Sequence, residues 1–75
     1  MKGAISAAAK FCRAHRDEPG LRGWLDGHVS RQFVSPREAC DLYPAASADW
    51  LDAYLNGRDD GVRGDVTRVA MRADR

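Results

Sequence analysis

Ile5, Ala8, Ala9, Phe11 and Cys12 recur at helical spacing, so Gly3 to His15 reads as a first amphipathic helix. DEPG (17–20) ends it. Pro19 then opens a second helix, from about Gly20 to Arg31, because its missing N–H is not needed in a first turn. Within that helix Leu21, Trp24, Leu25, His28 and Val29 fall on one side, and Asp26 and Gly27 turn away.

The strongest local signal follows in SPREACDLYP. Ser35 can accept from the Glu38 amide while the Glu38 carboxylate reaches back to the Ser35 amide, and Pro36 occupies the first helical position. A third helix therefore starts at Pro36 and ends by Tyr43, since Pro44 disfavours a helical residue before it. Ser47 caps a fourth helix with Asp49 in its first turn and Trp50, Leu51, Tyr54 and Leu55 as its inward stripe. WLDGH (24–28) and WLDAY (50–54) thus read as two aromatic-aliphatic helix faces whose mutual packing builds much of the core.

Beyond Leu55 the pattern weakens. Glycines at 57, 61 and 64 each cost about 1 kcal/mol in a helix interior, which places the end of the fourth helix near Asn56-Gly57. Asp65 to Arg75 fits a helix with Val66, Val69 and Ala70 on one face. It fits equally a strand with Thr67, Val69 and Met71 alternating against Arg68 and Arg72.

A chain of 75 residues makes one domain and buries only about 60% of its unfolded surface, so a homodimer would supplement a small core. With 44% hydrophobic and 31% charged residues it has the composition of a folded domain. The net charge of +1 hides an asymmetry: residues 1–34 carry +3 and residues 35–75 carry −2. The stretch AISAAA (4–9) is too short for a signal-peptide core or a membrane span, which predicts a cytoplasmic protein. Cys12 and Cys40 form no CxxC pair and read as buried free thiols. Ten arginines against two lysines suit a bacterial or bacteriophage source.

Candidate catalytic chemistry is sparse. Asp49/Asp52 and Asp59-Asp60 are carboxylate pairs, but acid-base catalysis needs groups in a water-excluded pocket with separated pKa values. GxSxG, a Walker loop and HExxH do not occur in the sequence. His28 reads as a core-edge residue, and the expectation is a non-enzymatic protein with no cofactor and no metal.

SPREACDLYPAASADWLDAYLNGR (35–58) resembles the helix-turn-helix of excisionase and MerR-type DNA-binding proteins. Glu38, Ala39 and Leu42 match its first helix, Trp50, Ala53 and Tyr54 the apolar positions of the second, and Gly57-Arg58 the entry to a wing. The resemblance implies a C-terminal β-hairpin wing over GVRGDVTRVAMR (61–72), with Arg58, Arg63, Arg68 and Arg72 contacting DNA phosphates. A second similarity is to ribosome modulation factor and its relatives, small helical proteins with a Gly-Trp/Tyr helix, a Cys-x-Tyr-like turn and a Trp-Leu helix. RGWLDG (22–27), CDLYP (40–44) and DWLDAY (49–54) follow that order.

The resulting expectation is a mainly α, single small domain of three to four helices. Residues 1–34 form an N-terminal helical pair, 35–58 a helix-turn-helix-like unit, and 59–75 a glycine-rich turn with a C-terminal helix or strand. The exposed side of the fourth helix offers Ala48, Asp49 and Asp52 where a major-groove reader carries Arg, Lys, Asn or Gln. That chemistry points first to a small regulatory protein that inhibits or modulates a host or defence protein with a basic groove. Asp49, Asp52, Asp59 and Asp60 would supply charge complementarity, and Tyr43 or Tyr54 an aromatic anchor. DNA regulation and ribosome association are the alternatives.

Overall fold

The computed structural model describes residues 2–74. They form five helices: α1 (Lys2–Ala14), α2 (Pro19–Ser30), α3 (Pro36–Leu42), α4 (Ala48–Arg63) and α5 (Thr67–Ala73). No strand occurs among the described residues, so the protein is mainly α and the C-terminal hairpin is not formed. Residues 67–73 take the helical alternative. Asp65 Oδ1 accepts the Thr67 amide at 3.0 Å, and the α5 turn buries Val69 against α1.

Helix boundaries follow local chemistry closely at α3 and at the start of α4. Ser35 Oγ accepts from the Glu38 amide at 3.1 Å and Glu38 Oε1 accepts from the Ser35 amide at 2.8 Å, the reciprocal capping box. Ser47 Oγ accepts from the Trp50 amide at 3.1 Å. The expected end of the fourth helix is corrected. α4 runs through Gly57 and Gly61 to Arg63 and stops at Gly64, which takes φ 72°, the left-handed conformation that glycine adopts without penalty.

α4 continues because its glycines lie in a seam. α2 and α4 make the most extensive contact in the fold, and their backbones approach through Gly23 and Gly27 on one helix and Gly57 and Gly61 on the other. A Cβ added to Gly57 would stand 2.0 Å from the Gly20 carbonyl oxygen, and one added to Gly61 would stand 2.1 Å from that of Trp24. The propensity cost of each glycine is offset by an approach that no side chain permits.

α2 is consequently buried on two sides, which corrects the single-stripe reading. Its Leu21 and Trp24 enter a core with Ala8, Ala9 and Cys12 of α1 and Val69 of α5. The Trp24 indole N–H donates to the Asp65 carbonyl at 2.8 Å, pinning the α4–α5 junction. Gly27 is buried in the seam and Asp26 half-buried beside it, whereas Val29 is 72% exposed. The two pentapeptides share a local device, an i,i+4 ring stack: Trp24 on His28 at 5.0 Å and Trp50 on Tyr54 at 5.5 Å. They do not build one core. Trp24 belongs to the α1/α5 side, and Trp50 packs with Tyr43 and Tyr54 at the α3–α4 corner. Cys12 is buried and Cys40 exposed, so only one of the two thiols matches the expectation.

Candidate functional site

The polar centre of the molecule is the Asp26 carboxylate. Its Oδ2 accepts from both the Tyr43 and the Tyr54 hydroxyls, each at 2.7 Å. Each hydroxyl in turn accepts from an arginine: Tyr43 from Arg22 Nε at 3.1 Å, Tyr54 from Arg58 Nη1 at 2.8 Å. Arg22 closes the circuit with an ion pair to Asp26 Oδ1 at 3.4 Å. Arg58 also donates to the Gln32 carbonyl at 2.9 Å and to Ser30 Oγ at 2.9 Å. Burial, reinforced by donation to Asp26, raises both tyrosine pKa values, and the hydrogen bond to Tyr43 raises that of Arg22. The hydroxyls therefore stay protonated and keep donating.

Around this network the sequence-predicted residues divide. Asp49 and Asp52 are exposed on α4, with Asp59 half-buried further along the same side, and none of the three is ion-paired among the described residues. Asp60 is only 7% exposed and pairs with Arg68 at 3.6 Å. Burial raises its carboxyl above the usual range. Tyr54 is fully buried and cannot serve as an anchor for a partner, whereas Tyr43 is half-buried and lines a shallow apolar recess with Leu42, Pro44, Ala45 and Trp50.

The four wing arginines do not share one surface role. Arg58 is buried in the network, Arg68 pairs with Asp60, and Arg72 pairs with Glu18 ahead of α2. Arg63 is exposed, its guanidinium 6.0 Å from the Phe33 ring centre. α3 and α4 do form as consecutive packed helices.

Sequence reasoning missed Asp26 and Arg22, and it missed the inward role of Arg58. Asp26 stands one position beyond the apolar pair Trp24-Leu25, so a single-face reading sends it to solvent. The available signal was Arg22-x3-Asp26 on one helix and Tyr54-x3-Arg58 on another, two i,i+4 polar pairs on glycine-bearing faces. Arg16, Arg22, Asp26 and Arg58 line one cleft together with Leu25 and Val29. No group of three or more His, Cys, Asp or Glu is arranged to hold a metal among the described residues, and no helix there is long and apolar enough to cross a membrane. Comparison of the chain with protein-family models, curated proteins and solved structures finds no match.

Proposed function

We propose that the protein is a small non-enzymatic regulator that docks on a larger protein through the α3–α4 corner. One observation carries this reading: Asp49, Asp52 and Asp59 form an acidic stripe without cationic partners among the described residues, next to a recess containing Leu42, Tyr43 and Trp50. Leu42 is 55% exposed, a large apolar side chain at the rim of a charged face. Such a surface fits a partner that presents a basic groove around an apolar knob, with the carboxylates speeding association and the recess holding the contact.

A ribosome-associated role is the second reading, favoured by a different observation. The three segments that carry the similarity to ribosome modulation factor are separated in sequence yet meet in space. Tyr43 of CDLYP donates to Asp26 of RGWLDG, and its ring centre lies 5.0 Å from each of Trp50 and Tyr54 in DWLDAY.

The test compares wild-type protein with D49K/D52K as bait in a bacterial lysate, with and without nuclease, followed by sedimentation of purified ribosomes with each. A retained protein that survives nuclease and is lost with the double substitution supports docking through the acidic stripe. Co-sedimentation with ribosomes by both baits supports the second reading. Identical retention profiles without ribosome binding would refute both.

A further inference from the structure

The cleft lined by Arg16, Arg22, Asp26 and Arg58 sets three arginines against one carboxylate. Arg58 is only 6% exposed. Three of its N–H groups go to neutral acceptors, the Tyr54 hydroxyl, Ser30 Oγ and the Gln32 carbonyl, and it forms no ion pair among the described residues. A guanidinium carries five N–H donors, so two remain for a ligand. Its link to a carboxylate runs through the Tyr54 hydroxyl to Asp26, so the guanidinium is compensated only indirectly and an anion that met it directly would gain a charge-assisted contact.

The acids near it are already occupied. Asp26 is the one carboxylate lining the cleft against three arginines, and its oxygens are taken by two tyrosine hydroxyls and Arg22. The exposed Glu38 carboxylate feels Arg58 only weakly. Its pKa is lowered first by the Ser35 backbone amide, to which it is committed in the capping box. The cleft is shallow and open to solvent, with a volume of about 340 Å³. One wall is apolar, with Leu25 half-buried and Val29 72% exposed. Arginine forks match the oxygens of a phosphate and hold them by charge-assisted hydrogen bonds.

We propose that this cleft is a binding site for an organic phosphate, with Arg16, Arg22 and Arg58 holding the phosphate oxygens and Leu25 and Val29 facing the organic portion. The site uses residues distinct from the acidic stripe of α4 and stands whether or not that stripe docks a protein. The phosphate arrives either on a mononucleotide-sized molecule or as part of a nucleic-acid strand, and the test separates the two.

The full chain is titrated at fixed ionic strength with inorganic phosphate, a nucleoside monophosphate and a short single-stranded oligoribonucleotide, following the arginine Nε–Hε signals by NMR. The expected result is a saturable shift of the Arg22 and Arg58 signals. Arg16→Gln should weaken binding about tenfold, the loss of one charge-assisted contact. Arg37→Gln, the same charge change on an exposed residue outside the cleft, should change it less than twofold, with circular dichroism checking that both variants fold. Tighter binding of the monophosphate than of inorganic phosphate supports a small organic ligand, and tighter binding of the oligonucleotide supports a strand. Equal affinity for all three overturns the apolar wall's role. Absent shifts, or equal losses in the two variants, overturn the site.

Discussion

Gly23 of α2 faces the Tyr54 carbonyl of α4 so closely that an added Cβ would stand 2.1 Å from the oxygen. The obstacle is backbone, which cannot rotate aside as a side chain can. Gly23→Ala therefore forces the helices apart and should cost about 3 kcal/mol, at the upper end of overpacking penalties. Gly3→Ala is the control, since nothing lies within 4 Å of its Cβ position. It should be neutral or stabilise by up to about 1 kcal/mol through helix propensity. Chemical denaturation of the two variants measures both, and equal stabilities would remove the seam from the account of the fold.

Tyr54→Phe removes one hydroxyl from two partners at once. Asp26 loses a donor and Arg58 Nη1 loses its acceptor, both in a largely buried setting. The expected loss is about 1–3 kcal/mol. Because Tyr43 donates to the same Asp26 oxygen, the double substitution Tyr43→Phe/Tyr54→Phe should be non-additive by at least about 0.5 kcal/mol. Strict additivity in a double-mutant cycle would show that the two tyrosines act independently.

The two cysteines should separate in reactivity. Cys40 is exposed, whereas burial pushes the Cys12 thiol from 9.0 up to about 11. A thiol-reactive chromogen at pH 8 should therefore label one cysteine in the native chain and two in denaturant. Because the folded state holds the Cys12 proton more tightly, its contribution to stability is fully present below pH 9.0 and is lost as pH rises through about 11. Cys12→Ala should flatten that alkaline loss in denaturation curves recorded across the range.

Arg68 and Arg72 both tether α5, but with unequal effect. Asp60, the partner of Arg68, has a side chain only 10% exposed, while Glu18, the partner of Arg72, has one 35% exposed. Arg68→Ala should cost up to about 1 kcal/mol at neutral pH and Arg72→Ala less. Burial already raises the Asp60 pKa and Arg68 opposes that rise. Removing Arg68 should move it higher still in an NMR titration. The cost of Arg68→Ala is present where Asp60 is ionised and fades as falling pH protonates it, so acidic and neutral denaturation curves should differ in that variant's deficit.

Local chemistry was readable where the determinants sit within four residues of each other. The Ser35–Glu38 capping box, Ser47 as a cap and the amphipathic spacing of Ala8, Ala9 and Cys12 each appear in the structure as the sequence implies. What escaped was relational. Gly57 and Gly61 look like helix breakers until they are set against Gly23 and Gly27, which share their spacing of four on the facing helix. Only that pairing explains why α4 reaches Arg63. Asp26 and Arg58 were hidden for the same reason, since polar residues beside a seam are drawn inward by partners from other elements: the hydroxyls of Tyr54 on α4 and Tyr43 after α3 for Asp26, and Ser30 Oγ of α2 and the Gln32 carbonyl for Arg58. Asp49 and Asp52 were legible as an exposed pair because no second element intervenes there.

The seam also says where this protein can vary. An oxygen 2.1 Å from a Cβ position lies no more than about 3.6 Å from the α-carbon itself, which brings Cα–H groups of one helix within weak hydrogen-bonding range of carbonyls on the other. The hydrogen that faces each carbonyl stands where any other residue carries its Cβ, so glycine alone can close the joint at these four positions. Outside the glycines and the polar cluster beside them, the outer faces of α2 and α4 contribute little to holding that joint. Substitutions there can recast the acidic stripe while the frame that presents it keeps its shape, whereas Arg22 and Arg58 belong to the cluster beside the seam and cannot be exchanged without loosening it.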